Sequence, residues 1–414
     1  MKILLICKWV AGATKGDFYY PGSWRDTFEL ACAFADLNQE IHILTPKVFK
    51  KHQRRFSQEF AKTLAQKGII HHLAPTRLTF GTSYSPFRLK MFFSEATLVT
   101  KIKPDVIQYM QFGPSAIYPF AKNIPVIFYS CDLFAPYPAE SEDRRLILAN
   151  WGERFQKYNP WVIFQNLVFT GLIKLIGSDT PKDALKKGAN LVLMHPRGFQ
   201  NLKKKHHSQH IYLIEKGIPK ITPMSKPKIL QNSLTILFVA SILYRKGIFD
   251  LIEALNLVSS DFPKIELLVA GSGPAKAVTL LKKAITKAHF KAKYLGPIPY
   301  PQRLKLFQKA DIFCLPSYQD AYPSVILEAM AVGLPTVTTR QIDTPIINNY
   351  SGILVETADI DMLAGAIKKL IVSPKLYAKI SLNAQKTVAD LTWQKQAKKF
   401  INLYSRIQSK GITK

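Results

Sequence analysis

Residues 316–335 read Pro-Ser-Tyr-Gln-Asp-Ala-Tyr-Pro-Ser-Val-Ile-Leu-Glu-Ala-Met-Ala-Val-Gly-Leu-Pro, and they set two carboxylates around a turn that becomes a helix. Asp320 precedes the turn and Glu328 lies inside the helix. Tyr322-Pro323-Ser324 reads as the helix start. Proline is tolerated in a first turn, where its missing N–H has no partner to lose, and Ser324 is expected to cap the free amides. Gly333 and Pro335 read as the stop. The apolar run at 311–316 leads in as a strand, and 336–339 leaves as another. Strand, loop and helix N-terminus in succession make an anion site, because unpaired N–H groups and the helix dipole converge on one spot.

The same alternation runs along both halves of the chain. Residues 2–7, 40–45, 104–109, 124–129, 189–194 and 210–214 read as short strands, with a helix over 27–37 and another through Ala121. A polar stretch rich in Pro and Lys at 217–228 interrupts the pattern and reads as a linker. The alternation then restarts with strands at 234–240, 265–270 and 292–295, and helices from Phe249, through Lys282 and from Gln302. Interleaved strands and helices build a parallel, doubly wound sheet. At 414 residues the chain exceeds what one core sustains. The expected fold class is therefore α/β with two Rossmann-like domains, at 1–220 and 221–395, followed by a C-terminal helix and tail at 396–414.

Composition narrows the class of function. Hydrophobic residues make up 47% of the chain, ample for two cores, yet no apolar run is long enough to span a bilayer. The apolar start at 1–7 is broken by Lys8 and Trp9, so it reads as a first strand rather than a signal peptide. Cys7, Cys32, Cys131 and Cys314 are far apart, which argues against a disulfide framework or structural zinc and fits a reducing compartment. His71-His72, His206-His207 and His210 read as solvated surface runs rather than metal ligands. The net charge of +29, with clusters at 50–55, 144–145, 186–187 and 203–205, implies a polyanionic neighbour. No nucleic-acid-binding motif accompanies it, so no nucleic acid is expected. An anionic membrane surface is the expected partner, each nearby Lys or Arg contributing about 1 kcal/mol, and the expected location is cytoplasmic, peripheral on the inner face of the cell membrane. Simple solubility is the competing explanation of the charge. The apolar segment 161–176 lacks a clean polar face and reads as a core helix rather than an interfacial one.

The 316–335 stretch resembles the C-terminal signature of retaining glycosyltransferase family 4, in which Pro-Ser ends a strand and an acidic residue, seven further residues and Glu-Ala follow. The resemblance is clear over about 230–405 and reaches 1–220 only in outline. It implies a GT-B architecture: two Rossmann-like doubly wound domains facing across a cleft, the first binding acceptor and the second the nucleotide sugar. Asp320 and Ala321 stand where that family has Glu and Gly, which keeps the charge and shortens the reach by one methylene. Glu328 matches without change, and the resemblance implies that it grips ribose hydroxyls; alone it would read as a glutamate complementing the helix dipole. Tyr322, Pro323, Ser324 and Val325 are implied donor contacts. Residues 238–247 are similar to the segment in which an Arg and, five residues later, a Lys before Gly hold the donor diphosphate. Lys246 and Gly247 match, Ser241 occupies the Arg place, and Arg245 is the replacement cation if its side chain turns inward. By the same resemblance Gly271 and Gly273 line the nucleotide site, and Pro297 and Ile298 supply backbone near the base. In the first domain, 11–17 and 21–24 read as a long flexible loop, and the resemblance makes Gly22 and Ser23 candidates for contact with donor phosphate. Asp132, next to a Cys131 that replaces the family's His, is expected to orient the acceptor hydroxyl.

The implied activity is transfer of a sugar from a nucleoside-diphosphate sugar to a hydroxyl of an envelope glycan or lipid-linked acceptor, with retention. No side-chain nucleophile stands out, so the expected chemistry is a front-face displacement with Lys246, Asp320, Glu328 and Asp132 as the catalytic set. No cofactor and no metal are expected, because Lys and helix termini supply the positive charge. The departures at Ser241, Asp320 and Cys131 leave an alternative: an inactive GT-B-like sugar or nucleotide-binding protein at the membrane surface. A sugar-nucleotide epimerase of the same architecture is a third, without a distinctive catalytic set.

Overall fold

The structure is a computed structural model that describes residues 1–7, 12–13, 18–19, 22–47, 60–77, 85–110, 121, 123–130, 181–225, 227–228, 230 and 233–411. The chain divides into two compact units, Met1–Gly217 with Trp393–Lys414, and Ile218–Thr392.

Along the first unit run β1 (Lys2–Ile6), β2 (Gly12–Ala13), β3 (Phe18–Tyr19), α1 (Gly22–Ala35), β4 (Glu40–Lys47), α2 (Lys62–Gln66), β5 (Ile70–Arg77), α3 (Ser85–Ile102), β6 (Val106–Tyr109), β7 (Val126–Ser130), α4 (Pro181–Lys186), β8 (Asn190–Leu193), α5 (Pro196–His206) and β9 (Ile211–Leu213). Seven strands form a parallel sheet in the order β5-β4-β1-β6-β7-β8-β9, while β2 and β3 make a separate antiparallel ribbon. Ile3, Leu4, Leu5 and Ile6 of central β1 are all buried. A strand covered on both faces needs a continuous apolar run rather than alternation, and this one has it.

Two expectations change in this unit. Gly22 and Ser23 open α1 instead of lying in a long loop. Trp24, Thr27, Ala31 and Phe34 are buried at helical spacing, so the helix must start early enough to bring Trp24 to the core. His71 and His72 are not a solvated run but part of edge strand β5. His71 Nε2 lies 2.8 Å from Thr45 Oγ1, its ring stacks 5.7 Å from Trp24, and His72 Nε2 lies 2.9 Å from His42 Nδ1. Burial, with the charge of His72 adding to it, pushes His71 down to about 4, so the ring is neutral near pH 7. His210 is likewise held, with Nδ1 at 3.2 Å from Asn190 Oδ1. Ala121, the one described residue of the helix expected around it, is buried and not helical, while Cys131, Asp132, the segment 161–176 and the basic clusters at 50–55 and 144–145 lie outside the described residues.

The second unit runs β10 (Leu234–Val239), a 3-10 turn (Tyr244–Lys246), α6 (Ile248–Ser259), β11 (Ile265–Ala270), α7 (Ala275–Lys287), β12 (Lys291–Gly296), α8 (Tyr300–Lys309), β13 (Ile312–Leu315), α9 (Ser324–Val332), β14 (Thr336–Thr339), β15 (Ile353–Val355), α10 (Ile360–Val372) and α11 (Pro374–Val388). Its six parallel strands are ordered β12-β11-β10-β13-β14-β15. Helix starts follow local chemistry: Asp359 accepts from the Met362 amide at 2.8 Å ahead of α10, and Pro374 occupies the first turn of α11. The stretch expected as a linker is fastened to this unit. Lys228 Nζ donates to the Lys309 and Ala310 carbonyls at 2.6 and 2.7 Å, satisfying the end of α8, and the Met224 amide donates to Val332 at 3.0 Å.

The chain then returns to the first unit through α12 (Trp393–Gly411), which starts three residues before the expected 396. Ala397, Phe400, Leu403 and Tyr404 are buried in the first unit's core, and the Phe400 and Tyr129 rings meet edge to face at 4.9 Å. The Tyr404 hydroxyl donates to the buried Gln108 side chain, so a polar bond pins the helix in register. No helix among the described residues is long and apolar enough to cross a membrane.

Candidate functional site

Strands β10 and β13 are neighbours, yet the chain runs from β10 outward to β11 and β12 on one side before crossing to β13 on the other. The order of the sheet reverses there. In open parallel sheets, ligands bind beyond the carboxyl ends of the strands at such a switch point. Both segments singled out in the sequence leave the sheet at this place: 240–247 follows β10, and 316–323 follows β13.

Hydrogen bonds stitch the two segments together. The Arg245 carbonyl accepts from the Tyr318 amide at 2.8 Å and from the buried Ser317 hydroxyl at 2.9 Å. Arg245 Nη1 donates to the Gln319 carbonyl at 2.9 Å, so its side chain turns toward the loop after β13. The Tyr318 hydroxyl donates to Asp250 Oδ2 at 2.7 Å on α6. Gly247 completes the approach in the left-handed region, at φ +71°, where an added Cβ would lie 2.0 Å from the Pro316 carbonyl oxygen. Only a residue without a side chain fits both the angle and the contact. Gly271, at φ +147°, plays the same part between β11 and β10: a Cβ there would lie 1.8 Å from the Ala240 carbonyl oxygen. The glycine at 271 therefore has a packing reason of its own. Gly273 follows in the same turn, and Pro297 and Ile298 lie between β12 and α8.

The sequence assigned Lys246 and Asp320 separate tasks, but the structure makes them one ion pair. Lys246 Nζ donates to Asp320 Oδ2, and Asp320 Oδ1 accepts from the Ala321 amide at 3.1 Å. Burial pushes the Asp320 carboxyl up, but the Lys246 ammonium, its hydrogen bond, Arg245 and the Ala321 amide outweigh it and hold the group below the ordinary carboxylate range. The result is a fixed, ionised carboxylate against a fixed ammonium. Ser241, at the place to which the resemblance assigns an arginine, is exposed.

Helix α9 begins differently from the expectation. Ser324 is its first residue rather than its cap, Pro323 precedes it, and no side chain caps the turn. Proline brings φ near the required value but has no acceptor to offer, so the first amides of α9 are left without a side-chain partner. Helix α6 also starts without a side-chain cap, at Gly247. Tyr322 is buried in the left-handed region at φ +57°, a strained setting for an aromatic residue that the surrounding packing must hold. Ala321 forms an isolated bridge with Asp343, and Val325 is half-buried beside Ser324 in the first turn.

Glu328 is buried one turn further along α9. Arg303 on α8 donates from Nη2 to Glu328 Oε1 at 2.8 Å, and the guanidinium sits 4.8 Å from the centre of the Tyr300 ring. Sequence reading did not single out Arg303. Its one signal was the requirement that a buried carboxylate find a cation, which names no position until α8 is laid beside α9.

Residues 221–387 match the family described as Glycosyl transferases group 1. Over its length the chain is similar to solved structures, among them the Anabaena protein HepE in complex with UDP and glucose, at 15% identity, TM-score 0.65, and coverage of 98% of this chain and 100% of that one. The fold is GT-B. Within this GT-B chain, 172 residues are 27% identical to glycogen synthase of Mycobacterium tuberculosis, covering 41% of the chain and 42% of that protein. A stretch of 184 residues is 28% identical to D-inositol 3-phosphate glycosyltransferase of Corynebacterium jeikeium, covering 42% and 44%. The matches span about two fifths of the length of these curated relatives.

Proposed function

We propose that this GT-B chain is a retaining, metal-independent glycosyltransferase of family 4. It moves a sugar from a nucleoside-diphosphate sugar to a hydroxyl of an envelope glycan or lipid-linked acceptor. The observation that carries this reading is the Lys246–Asp320 pair held between two uncapped helix starts at the switch point. UDP and glucose in the Anabaena complex support the donor class, and the two relatives' names support a hydroxyl acceptor.

In this reading the donor diphosphate meets the first amides of α9 and the Lys246 ammonium, Asp320 accepts from a sugar hydroxyl, and Glu328 accepts from the ribose. As the bond between the anomeric carbon and the β-phosphate oxygen breaks, negative charge grows on that oxygen, and a preorganised ammonium and dipole stabilise it. The acceptor oxygen bonds to the same face of the anomeric carbon, with Asp132 orienting its hydroxyl. The acceptor proton passes to the departing phosphate, so the products are the glycosylated acceptor and a nucleoside diphosphate.

The test is a panel of UDP-, GDP- and ADP-sugars with nucleoside diphosphate release and the product anomer as readouts. One donor is expected to be turned over with retention, and EDTA is expected to leave the rate unchanged. Glu328→Ala should raise the donor KM by about 10- to 100-fold, the worth of a hydrogen bond to a charged group. Donor binding without release or transfer, for every donor, would favour the inactive binding protein.

We also assign the anionic membrane surface to the first unit. Lys182, Lys186 and Lys187 at α4 and Lys203, Lys204 and Lys205 at the end of α5 are exposed. The two groups share a surface: burial, then the charges of Lys205 and Lys182, hold His206 below its usual range. Reversing Lys203, Lys204 and Lys205 to Glu should abolish binding to vesicles containing anionic lipid, and raised salt should weaken the unchanged protein in the same assay. Undiminished binding by the triple variant would overturn the assignment.

A further inference from the structure

The Glu328 side chain is 4% exposed and that of Arg303 is 23% exposed. Withdrawing a carboxylate so far from water is costly unless charge and hydrogen bonds replace its hydration. Arg303 supplies both through the 2.8 Å contact to Oε1. The arginine is itself held. Tyr300 lies three residues earlier on α8, its ring under the guanidinium at 4.8 Å, so the planar head is fixed by the ring on one side and by the carboxylate on another. Ring, guanidinium and carboxylate form a continuous line from the first turn of α8 to α9. A lysine would supply the charge without the plane, and a smaller residue before it would leave the plane unsupported.

We propose that Arg303, seated on Tyr300, is a positioning residue that fixes the Glu328 carboxylate to accept from both hydroxyls of a ribose. It thereby sets a preference for ribonucleoside over 2′-deoxyribonucleoside diphosphates. The inference rests on the reading of Glu328 as the ribose grip. A carboxylate accepts and never donates, so a diol satisfies it twice, and removing one hydroxyl leaves an oxygen desolvated and unpaired. That loss discriminates strongly only while the carboxylate is held in place. If it can swing, it follows the remaining hydroxyl and the preference fades.

The experiment is calorimetric titration of the full chain with UDP, GDP and ADP and with their 2′-deoxy counterparts. The unchanged protein is expected to bind its preferred ribonucleotide at least about tenfold more tightly than the deoxy form. Arg303→Met should bring that ratio to within about twofold, while Arg303→Lys and Tyr300→Leu should fall between. A general packing defect would weaken both nucleotides alike and leave the ratio intact. Because Arg303→Met strands a buried carboxylate, a thermal melt accompanies each titration, and the double variant Arg303→Met with Glu328→Met removes both charges together. The double variant should lose the preference to the same extent as Glu328→Met alone. A full ribose preference retained by Arg303→Met and Tyr300→Leu, with the preference lost in Glu328→Met, would overturn the role of Arg303 and leave the ribose grip standing. An unchanged protein that binds none of the six nucleotides, or does not discriminate between the two sugars, would overturn both.

Discussion

Replacing Lys246 with Met is expected to lower kcat by about 100- to 1,000-fold, the usual effect of removing one preorganised group that stabilises charge growing on a leaving oxygen. The ammonium is buried, at 7% exposure, and points at Asp320, so it is in place before any donor arrives. If its work is confined to the transition state, kcat and kcat/KM fall together and KM moves little. Asp320→Asn tests the other half of the pair. It keeps the shape and removes the charge that holds the lysine, and is expected to reduce kcat less than Lys246→Met does. The pair also makes stability depend on pH. The folded Asp320 carboxyl lies below its unfolded value, so its contribution is fully present above the ordinary carboxylate range and is lost as the pH falls through the lowered folded value. Asp320→Asn should therefore lower stability most at neutral pH and above, and flatten the acid limb of the unfolding profile because that contribution is no longer there to be lost. A Lys246→Met enzyme with undiminished kcat would remove the lysine from the catalytic set.

Gly247→Ala is expected to have the largest effect on stability, about 3 kcal/mol or more. The left-handed backbone disfavours any side chain by about 1–2 kcal/mol, and the new Cβ would also collide with the Pro316 carbonyl, 2.0 Å away. That oxygen belongs to the backbone, which cannot rotate aside as a flexible side chain would. At about 2–4 °C per kcal/mol for a unit of this size, the melting transition should fall by about 10 °C. Gly296→Ala is the control. Gly296 has nearly the same angle, φ +70°, with nothing within 4 Å of its Cβ position, so only the backbone penalty applies. Equal losses from the two substitutions would show that strain alone decides, and that the approach of the two segments at Gly247 carries no weight. Because the same approach sets Lys246 beside Asp320, Gly247→Ala should also lose donor affinity, whereas Gly296→Ala should not.

Much of the second unit was legible in the sequence. Strands over 234–240, 265–270 and 292–295, and the helix that starts near Ser324, fell within a residue or two of their expected places. Their signals are local: an apolar run, then Gly or Pro, then apolar residues at helical spacing. The first unit was less legible. Edge strand β5 carries His71-His72, and polar residues in a half-buried strand look like a surface run until Trp24, Thr45 and His42 are brought against them. Arg303 was invisible for a similar reason, since an arginine in a predicted helix gives no sign of what it faces. Ser324 was misread because Ser beside Pro at a helix start favours a cap, whereas the structure begins the helix at the serine itself.

The sequence by itself determined that the chain folds as two parallel α/β units, and it placed Lys246, Asp320 and Glu328 beside strand-to-helix turns. Those features depend on periodicity and breakers over a few residues. The tertiary structure alone decided which charges meet. Lys246 finds Asp320 across 74 residues because β10 and β13 are neighbours, and Arg303 finds Glu328 across 25 because α8 packs beside α9. It also decided that the last helix joins the first unit, since the stripe of Ala397, Phe400, Leu403 and Tyr404 fits any apolar face until Phe34, Gln108 and Tyr129 are there to receive it. Strand order and helix contacts are cooperative outcomes of the whole core, and no window of sequence contains them.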